Sequence, residues 1–273
     1  MRVATLPEEL PGGGVLVPTM GALHEGHLSL IRLAGSSGPG PVVVSVFVNP
    51  TQFNDPKDFE RYPRDLARDV DLAEQAGAEI VFAPGVETMY PPGCPVPVPT
   101  LPAVATRPGL EDAGRPGHFA GVCQVVSRLF DLCRPERAVF GEKDWQQLQV
   151  VRAMVRAQGR RIEILPGAIV REPDGLAMSS RNVLLSDRDR QAALALRRSL
   201  DAACGETDVA RAEQAMRAVL DVSNVRVEYA VVRDADTLEP MRPGAAAGRA
   251  LVCATVGGVR LLDNDAWPGE HDR

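Results

Sequence analysis

Segments of buried-strand and amphipathic-helix character alternate along the first part of the chain. The segments 15–17, 42–48 and 79–82 are predicted strands, and 42–48, which is β-branched nearly throughout, is typical of a buried one. Between them, apolar residues recur at helical spacing from residue 23 onward and again over 65–75. The resulting order, β-α-β-α-β, predicts an α/β fold with a parallel sheet.

The pattern continues and then changes character. It predicts a helix at 122–132, a strand at 138–140, a helix at 150–157 and a strand at 162–165. Two Ala- and Arg-rich helices follow at 187–203 and 209–220, and then strands at 225–232, 250–254 and 259–262. Because helices and strands are segregated there, we expect a separate α+β domain. The predicted domains are 1–169 and 170–273.

Two segments between these elements lack a regular pattern. Residues 91–108 are rich in proline, and residues 111–119 combine Pro and Gly with polar side chains that include Arg115 and His118. We expect 111–119 to be a loop that could act as a mobile cover over a site.

Composition narrows the possible functions. The chain has 273 residues, 45% of them hydrophobic, which suits one large or two modest domains. Its net charge of −6 disfavours general nucleic-acid binding. The five cysteines are widely spaced and odd in number, as expected for reduced thiols in the cytoplasm. No secretory signal is recognised, and the longest apolar run is too short for a membrane span.

The stretch from Val17 to Ile31 is the strongest candidate for chemistry. It is predicted to form a strand end, a tight turn at Gly21 and the start of a helix. His24 and His27 are three residues apart, so they share one side of the first helical turn. Two imidazoles beside backbone N–H groups at a helix N-terminus suit an anion, above all a phosphate.

Two other interpretations of these histidines are open. Each could be an ordinary surface or core residue. A zinc site would favour His at i and i+4, whereas the spacing here is i and i+3 and no Cys-x-x-Cys accompanies it. The sequence has four histidines in all, His24, His27, His118 and His271, which argues against a closed zinc site.

Polar groups also follow other predicted strands. Asn49 to Phe53 follow the strand at 42–48, and Gly141 to Gln147 follow the strand at 138–140. The carboxyl ends of parallel strands are where open α/β sheets bind ligands. Ser179, Ser180 and Arg181 could donate several hydrogen bonds to phosphate oxygens. Structural alternatives remain at this point, since Asn49 could cap a turn and the serines could cap a helix.

These segments together resemble one family over nearly the whole chain, the pantothenate synthetases, or pantoate–β-alanine ligases. His-x-Gly-His alone would indicate only the wider nucleotidyltransferase superfamily. The other blocks make the resemblance specific: Pro18-Thr19-Met20-Gly21-Ala22-Leu23-His24-Glu25-Gly26-His27, Phe47-Val48-Asn49-Pro50-Thr51-Gln52-Phe53, Tyr62-Pro63-Arg64, Arg115-Pro116-Gly117-His118-Phe119, Gly141-Glu142-Lys143-Asp144 and Met178-Ser179-Ser180-Arg181-Asn182.

The resemblance implies a fold and an activity. The fold would be a Rossmann-like parallel sheet with helices on both faces, plus a smaller C-terminal α+β domain that closes over the nucleotide. The activity would be the ATP-dependent condensation of (R)-pantoate with β-alanine to pantothenate, AMP and pyrophosphate, through a pantoyl adenylate. Mg²⁺ would accompany ATP, and the enzyme would be a cytoplasmic homodimer with no nucleic-acid or membrane partner.

The resemblance also implies roles for individual residues. The catalytic groups would be His27, as candidate proton donor, His24 and Lys143. The ATP-binding residues would be Met20, Gly21, Ala22, Leu23, His24, Glu25, Gly26, His27, Gly141, Glu142, Lys143, Asp144, Val170, Met178, Ser179, Ser180 and Arg181. Pantoate and β-alanine would contact Gln52, Gln147, Asn49, Tyr62 and Arg115. Asp69 would lie near the magnesium, although a plain helix-surface acid is the alternative.

Two competing functions remain open on sequence alone. One is a nucleotidyltransferase that transfers an adenylyl group to a different acid or to a phosphate-bearing acceptor. It would need a basic pocket for that phosphate, and the amides of Gln52 and Gln147 argue against one. The other is an inactive nucleotide-binding protein, for which loss of Lys143 or of a histidine would be the expected mark.

Overall fold

The chain divides into two compact units. The computed structural model describes residues 1–242, 245 and 247–268, so His271 lies outside the described residues. The first unit comprises Met1–Glu142 and Gln146–Ala168, and the second comprises Lys143–Trp145 and the residues from Ile169 onward. The sequence pattern did not predict that three residues around Lys143 group with the second unit.

The first unit contains a parallel sheet. Its strands are β1 (Arg2–Ala4), β2 (Val15–Thr19), β3 (Val42–Val46), β4 (Ile80–Phe82), β5 (Arg137–Gly141) and β6 (Glu163–Gly167). They lie in the order β1-β4-β3-β2-β5-β6, and each neighbouring pair is parallel. The predicted α/β class is confirmed. Sequence analysis missed β1, because a three-residue strand at the sheet edge carries no periodic signal.

The helices of the first unit connect these strands. They are α1 (Glu25–Ser36), α2 (Pro56–Arg61), α3 (Leu66–Gln75), α4 (Val86–Met89), α5 (Glu111–Gly114), α6 (His118–Cys133) and α7 (Trp145–Ala157), whose first residue groups with the second unit. The expected loop at 111–119 is therefore corrected. It forms a short helix, and His118 begins the long helix α6.

The sheet is covered on both faces. Val15 and Val17 of β2 pack in one cluster with Leu28 and Ile31 of α1. Leu16, which points to the opposite face by strand alternation, is also fully buried. Burial on both faces explains why the central strands are continuous apolar runs rather than alternating ones.

The strand order places a switch point between β2 and β5. From β2 the chain proceeds to β3 and β4 on one side, and then to β5 and β6 on the other. Ligands of open α/β sheets bind outside the carboxyl ends of the strands at such a point. Here β2 ends one residue before Met20, and β5 ends at Gly141, two residues before Lys143.

The second unit is a helical pair packed on an antiparallel sheet. It contains α8 (Asp187–Cys204), α9 (Val209–Leu220), β7 (Val225–Arg233), β8 (Gly248–Val256) and β9 (Val259–Trp267), with β8 in the middle of the sheet. Leu196 of α8 and Met216 of α9 share a core with Val252 of β8. The predicted smaller α+β domain is confirmed in class, and its strands extend beyond their apolar cores.

Within the described ranges, no helix combines the length and the apolar character needed to cross a membrane.

Candidate functional site

The predicted histidine turn connects β2 to α1. Gly21 has φ +82° and Ala22 has φ +51°, so the chain reverses through two left-handed residues after the strand. His24 is extended and immediately precedes the helix. The rings of His24 and His27 stack with their centroids 4.1 Å apart. The structure therefore brings the two imidazoles together at the helix N-terminus, as their spacing predicts.

A hydrogen bond assigns the proton on His27. The backbone N–H of His24 donates to Nδ1 of His27 over 3.3 Å. A ring nitrogen that accepts a hydrogen bond carries no proton, so neutral His27 bears its proton on Nε2. His27 can therefore donate a hydrogen bond through Nε2.

Asp69 has a role in this turn that the sequence did not reveal. It lies in α3 and is 2% exposed. Its Oδ2 accepts from the backbone N–H of Ala22 over 3.0 Å, and its Oδ1 accepts from that of Leu23 over 2.7 Å. One carboxylate thus satisfies two N–H groups of the strained turn. The predicted contact of Asp69 with magnesium stays a prediction.

A cluster of amides follows β3. Nδ2 of Asn49 donates to Oε1 of Gln52 over 3.0 Å and to the carbonyl of Gly121 over 3.2 Å. The hydroxyl of Tyr90 donates to Oδ1 of Asn49 over 2.8 Å. Burial raises the pKa of Tyr90, so the phenol keeps the proton it donates. Because Oε1 of Gln52 is already an acceptor for Asn49, the amide is oriented with Nε2 as the group that can donate to a ligand.

The amide cluster touches the histidine turn within the first unit. Nε2 of Gln52 lies 3.2 Å from Sδ of Met20. From the other side, Nδ1 of His118 donates to the carbonyl of Gln52 over 2.9 Å. Nε2 of His118 then accepts from the Arg115 guanidinium, 3.1 Å away. Residues from three separate sequence blocks therefore converge on Gln52.

Two further predicted substrate residues have less direct support. The ring of Tyr62 is buried against Phe53, with centroids 5.8 Å apart. Gln147 lies half-buried in the first turns of α7. Its neighbour Gln146 is a structural residue, since it accepts from the backbone N–H of Glu111 and donates to the carbonyl of Val104.

In the second unit, the predicted nucleotide residues form one small hairpin. The backbone N–H of Met178 donates to the carbonyl of Val170 over 2.9 Å, and Arg171 pairs with Ala177. Val170 and the Ser-Ser-Arg turn are therefore adjacent. The carbonyl of Val170 accepts from Met178 and keeps a second lone pair, so a backbone contact of Val170 with adenine stays a prediction.

The Ser-Ser-Arg turn is itself held by its own side chains. Oγ of Ser179 accepts from the backbone N–H of Arg181 over 3.3 Å, which closes a turn. The residue at the cap of the following 3₁₀ turn is Arg181, so the serines do not have the capping role given above as the structural alternative. Asn182, buried below the turn, donates from Nδ2 to the carbonyl of Ala177 over 3.0 Å. Ser179, Ser180 and Arg181 are all half-buried.

Lys143 lies in a 3₁₀ turn after β5 and groups with the second unit. Its Nζ is 3.9 Å from Oδ1 of Asp144, which is beyond hydrogen-bonding distance. Gly141 and Glu142 remain in the first unit. Glu25, at the start of α1, is exposed and pairs with Arg32.

The predicted site residues therefore fall into two groups. The first unit holds Met20, Gly21, Ala22, Leu23, His24, Glu25, Gly26, His27, Asn49, Gln52, Tyr62, Asp69, Arg115, Gly141, Glu142 and Gln147. The second unit holds Lys143, Asp144, Val170, Met178, Ser179, Ser180 and Arg181. Sequence reasoning missed Tyr90 and Gly121, whose contacts with Asn49 come from residues distant in the chain.

The structure allows a test of fit for magnesium. The described residues include no group of three or more His, Cys, Asp or Glu side chains placed to bind a metal ion. Mg²⁺ is often bound through substrate phosphates and water rather than by an all-protein cage. Both oxygens of Asp69 already accept from backbone N–H groups, so a magnesium ion would depend on nucleotide phosphates and water, and its presence stays a prediction.

The fold and the clustered strand-end residues are those of an open α/β protein, a class whose ligands bind at the carboxyl edge of the sheet, and the donors at this edge suit phosphate and carboxylate groups. Comparison with known proteins narrows this class. The family model described as pantoate-beta-alanine ligase matches residues 9–266. The chain therefore belongs to the pantoate–β-alanine ligase family.

Individual relatives agree with this assignment. The chain is 52% identical over 270 residues to a pantothenate synthetase of Rubrobacter xylanophilus, covering 93% of this chain and 90% of the relative. A crystal structure of pantothenate synthetase from Thermus thermophilus matches with a TM-score of 0.90 at 45% identity, covering 97% of this chain and 99% of that one.

A more distant solved structure carries ligands. Pantoate-beta-alanine ligase from Francisella tularensis, described as complexed with beta-gamma ATP and beta-alanine, matches with a TM-score of 0.76 at 29% identity. The match covers 97% of each chain.

Proposed function

We propose that this chain catalyses the ATP-dependent condensation of (R)-pantoate with β-alanine, which yields pantothenate, AMP and pyrophosphate. One observation carries the proposal. Gln52, oriented as a donor by Asn49, touches the turn that presents His24 and His27. A group that can bind a hydroxy acid therefore lies beside a group that can bind phosphate. Family membership supports the same reaction.

In the first step, the pantoate carboxylate attacks the α-phosphorus of ATP. The new bond joins a carboxylate oxygen to phosphorus, and the bond to pyrophosphate breaks. The carboxylate is already ionised at pH 7, so the step needs charge stabilisation rather than a base. His27, with its proton on Nε2, donates a hydrogen bond to the phosphoryl oxygens as negative charge shifts toward the leaving pyrophosphate.

Pantoate is oriented by neutral amides. Nε2 of Gln52 donates to the acid, and Gln147 is assigned to the same substrate. Amides suit a ligand with two hydroxyl groups and a carboxylate, because they can both donate and accept. Asn49, Tyr62 and Arg115 complete this pocket in the proposal.

In the second step, the amine of β-alanine attacks the acyl carbon of pantoyl adenylate. The amide bond forms, the bond from that carbon to the bridging oxygen breaks, and AMP leaves with this oxygen. The amine loses a proton as the amide forms. Gln52 is the residue that we assign to β-alanine as well as to pantoate.

Further nucleotide contacts are assigned to the residue after β5 and to the Ser-Ser-Arg turn. Lys143 provides a point charge for a phosphate, and Ser179, Ser180 and Arg181 provide hydrogen-bond donors. Mg²⁺, if bound with ATP, would neutralise phosphate charge, and Asp69 is the acidic neighbour assigned to it. We also propose that the enzyme is a homodimer located in the cytoplasm. Light scattering, which measures the molar mass in solution, tests the dimer.

Isotope exchange between pyrophosphate and ATP tests the first step. Exchange should require pantoate and should not occur with the same branched acid lacking its two hydroxyl groups. Added β-alanine should then release AMP in amounts equal to the pantothenate formed. Exchange that runs equally well without pantoate would refute the substrate assignment.

The alternative is an adenylyl transfer to a different acid or to a phosphate-bearing acceptor. It would give exchange with that acceptor and none with pantoate. The amides of Gln52 and Asn49 favour the hydroxy acid over a phosphorylated substrate. Arg115 is the one cation assigned to this pocket and suits a carboxylate, whereas a phosphate dianion would call for several cationic side chains there.

A further inference from the structure

The three residues around Lys143 belong to a different unit from the residues on either side of them. Glu142 and Gln146 lie in the first unit, whereas Lys143, Asp144 and Trp145 group with the second. Segment 143–145 therefore has contacts within the second unit that the residues on either side of it lack. Two buried polar residues of the antiparallel sheet make these contacts.

Asn264 fixes the backbone at Lys143. It lies in β9, is 1% exposed, and donates from Nδ2 to the carbonyl of Lys143 over 2.9 Å. Its Oδ1 accepts from Nε of Arg249 on β8 over 2.7 Å. Since arginine can only donate, this contact fixes which end of the amide faces Lys143.

Arg249 also reaches the other end of the segment. Its guanidinium carbon lies 3.7 Å from the ring centroid of Trp145, a cation–π contact. Nε1 of Trp145 donates to the carbonyl of Ala235 over 2.7 Å. Arg249 is 9% exposed, so its contacts with Asn264 and with Trp145 are shielded from water. The segment is thus held at its first and last residues, with Asp144 exposed between them.

We infer that Asn264, supported by Arg249 and Trp145, is a positioning residue for Lys143 in the adenylation step. The inference rests on the proposed function, which assigns Lys143 to a phosphate of ATP. A lysine ammonium moves on a flexible four-carbon stem, so its reach depends on where the backbone is fixed. Loss of the anchor displaces a charge that must meet the phosphate, and small displacements reduce rates strongly.

A double-mutant cycle in the full-length protein tests this inference. The variants are Asn264→Ala, Lys143→Met and the two combined, and the readout is pantoate-dependent exchange of pyrophosphate into ATP. Lys143→Met should reduce exchange about 100-fold, as loss of a charge-stabilising donor does. Asn264→Ala should reduce it about 10-fold in the wild-type background and by less than about twofold in the Lys143→Met background.

Matched variants separate positioning from folding. Trp267→Phe removes another buried hydrogen bond from β9, the one from Nε1 of Trp267 to the carbonyl of Ala203, and should leave exchange unchanged. Asn264→Asp keeps the size and an acceptor for Arg249 but cannot donate to Lys143, so it should remain impaired. Trp145→Phe, which loses the donor to Ala235 and weakens the cation–π contact with Arg249, should reduce exchange about threefold and serves if Asn264→Ala fails to fold.

The outcomes are distinguishable. A loss from Asn264→Ala that is equally large in the Lys143→Met background would mean that Asn264 acts on the fold alone, and would overturn the inference. Wild-type exchange in both Asn264→Asp and Trp145→Phe would overturn it too. If the Lys143→Met variant catalysed exchange at the wild-type rate, the role proposed for Lys143 would be wrong, and the inference about Asn264 would be wrong as a consequence.

Discussion

The histidine turn and segment 143–145 follow neighbouring strands, β2 and β5, yet they are held in place in opposite ways. The turn is fixed by Asp69, a carboxylate that accepts from two backbone N–H groups. Segment 143–145 is fixed by Asn264, an amide that donates to a backbone carbonyl. Asp69 comes from α3 of the first unit, and Asn264 comes from β9 of the second unit.

The two segments differ because their backbone groups need different hydrogen-bonding partners. The histidine turn contains two left-handed residues, and the N–H groups of Ala22 and Leu23 both point toward Asp69. One carboxylate therefore accepts from both. Segment 143–145 instead contains a carbonyl, at Lys143, that accepts from the neutral amide of Asn264. It also contains an indole, at Trp145, that contacts the cationic guanidinium of Arg249. In both segments a buried polar side chain from a distant part of the chain sets the position of the groups that we assign to phosphate.

The largest effect is expected from the histidine itself. His27→Ala should reduce pantoate-dependent exchange by at least about 100-fold, because it removes a donor that stabilises charge on the phosphoryl oxygens. Steady-state exchange, with thermal unfolding as the control for folding, makes the measurement. A rate near that of the wild type would exclude His27 from the chemistry.

Removing the anchor of the turn should come next. Asp69→Ala leaves two backbone N–H groups without their acceptor, so we expect the free energy of unfolding to fall by about 3 kcal/mol. Exchange activity should fall about 10-fold through misplacement of the histidines. Urea unfolding and exchange assays on the same samples give both numbers.

Asp71→Ala is the matched control for that variant. Asp71 lies in the same helix as Asp69 but is exposed, so its loss should change stability by less than about 0.5 kcal/mol. Equal losses from the two variants would show that helix charge, not the turn, determines the effect. An altered magnesium requirement in Asp69→Asn, with unchanged stability, would favour the predicted metal contact.

A glycine pair isolates the tight packing between the turn and Asp69. A Cβ on Gly21 would lie 2.7 Å from Oδ2 of Asp69, whereas one on Gly77, also at positive φ, would meet nothing within 4 Å. Gly77→Ala should therefore cost only the backbone strain, about 1 kcal/mol, and Gly21→Ala about 2 kcal/mol. Chemical unfolding of both variants measures the difference, and equal costs would contradict the close contact.

The smallest effect concerns the antiparallel sheet that anchors segment 143–145. Burial raises the pKa of Glu228, but hydrogen bonds from Arg260 and Thr255 lower it more, so the pKa lies below its ordinary value of 4.5. A lowered pKa contributes stability above that ordinary value, and the contribution is lost as the pH falls through the pKa in the folded protein.

Glu228→Gln should therefore lower the free energy of unfolding at pH 7 by less than about 1 kcal/mol, since the pair is partly screened by solvent. The variant should be correspondingly less sensitive to acid than the wild type. Unfolding curves at neutral and acidic pH measure this. Identical pH dependence in the two proteins would show that Glu228 contributes no such stability.

The sequence predicted most of the fold because burial leaves a local pattern. Continuous apolar runs marked β2 and β3, and the switch from alternating elements to paired helices followed by strands marked the second unit. The sequence misled where local composition and tertiary packing disagree. The glycine and proline content of 111–119 suggested a loop, yet the segment contains α5 and the first residues of α6.

In the candidate site, too, contacts between near neighbours in sequence were predictable and contacts between distant residues were not. The spacing of His24 and His27 predicted that the two side chains share the first helical turn. Their rings do lie side by side, although His24 is the extended residue before the helix and not part of it. Nothing local indicates that Tyr90 reaches Asn49, or that Asn264 reaches Lys143 across 121 residues of sequence. Such contacts depend on tertiary packing, which a single sequence does not display.

The most direct test of the proposed reaction follows an oxygen atom. Pantoate labelled with heavy oxygen in its carboxylate is incubated with the enzyme, ATP and β-alanine, and the products are examined by mass spectrometry. Attack of the carboxylate on the α-phosphorus requires one labelled oxygen to appear in AMP and none in pyrophosphate. Pantothenate formed while AMP stays unlabelled would contradict the adenylate route and, with it, the roles assigned to both segments.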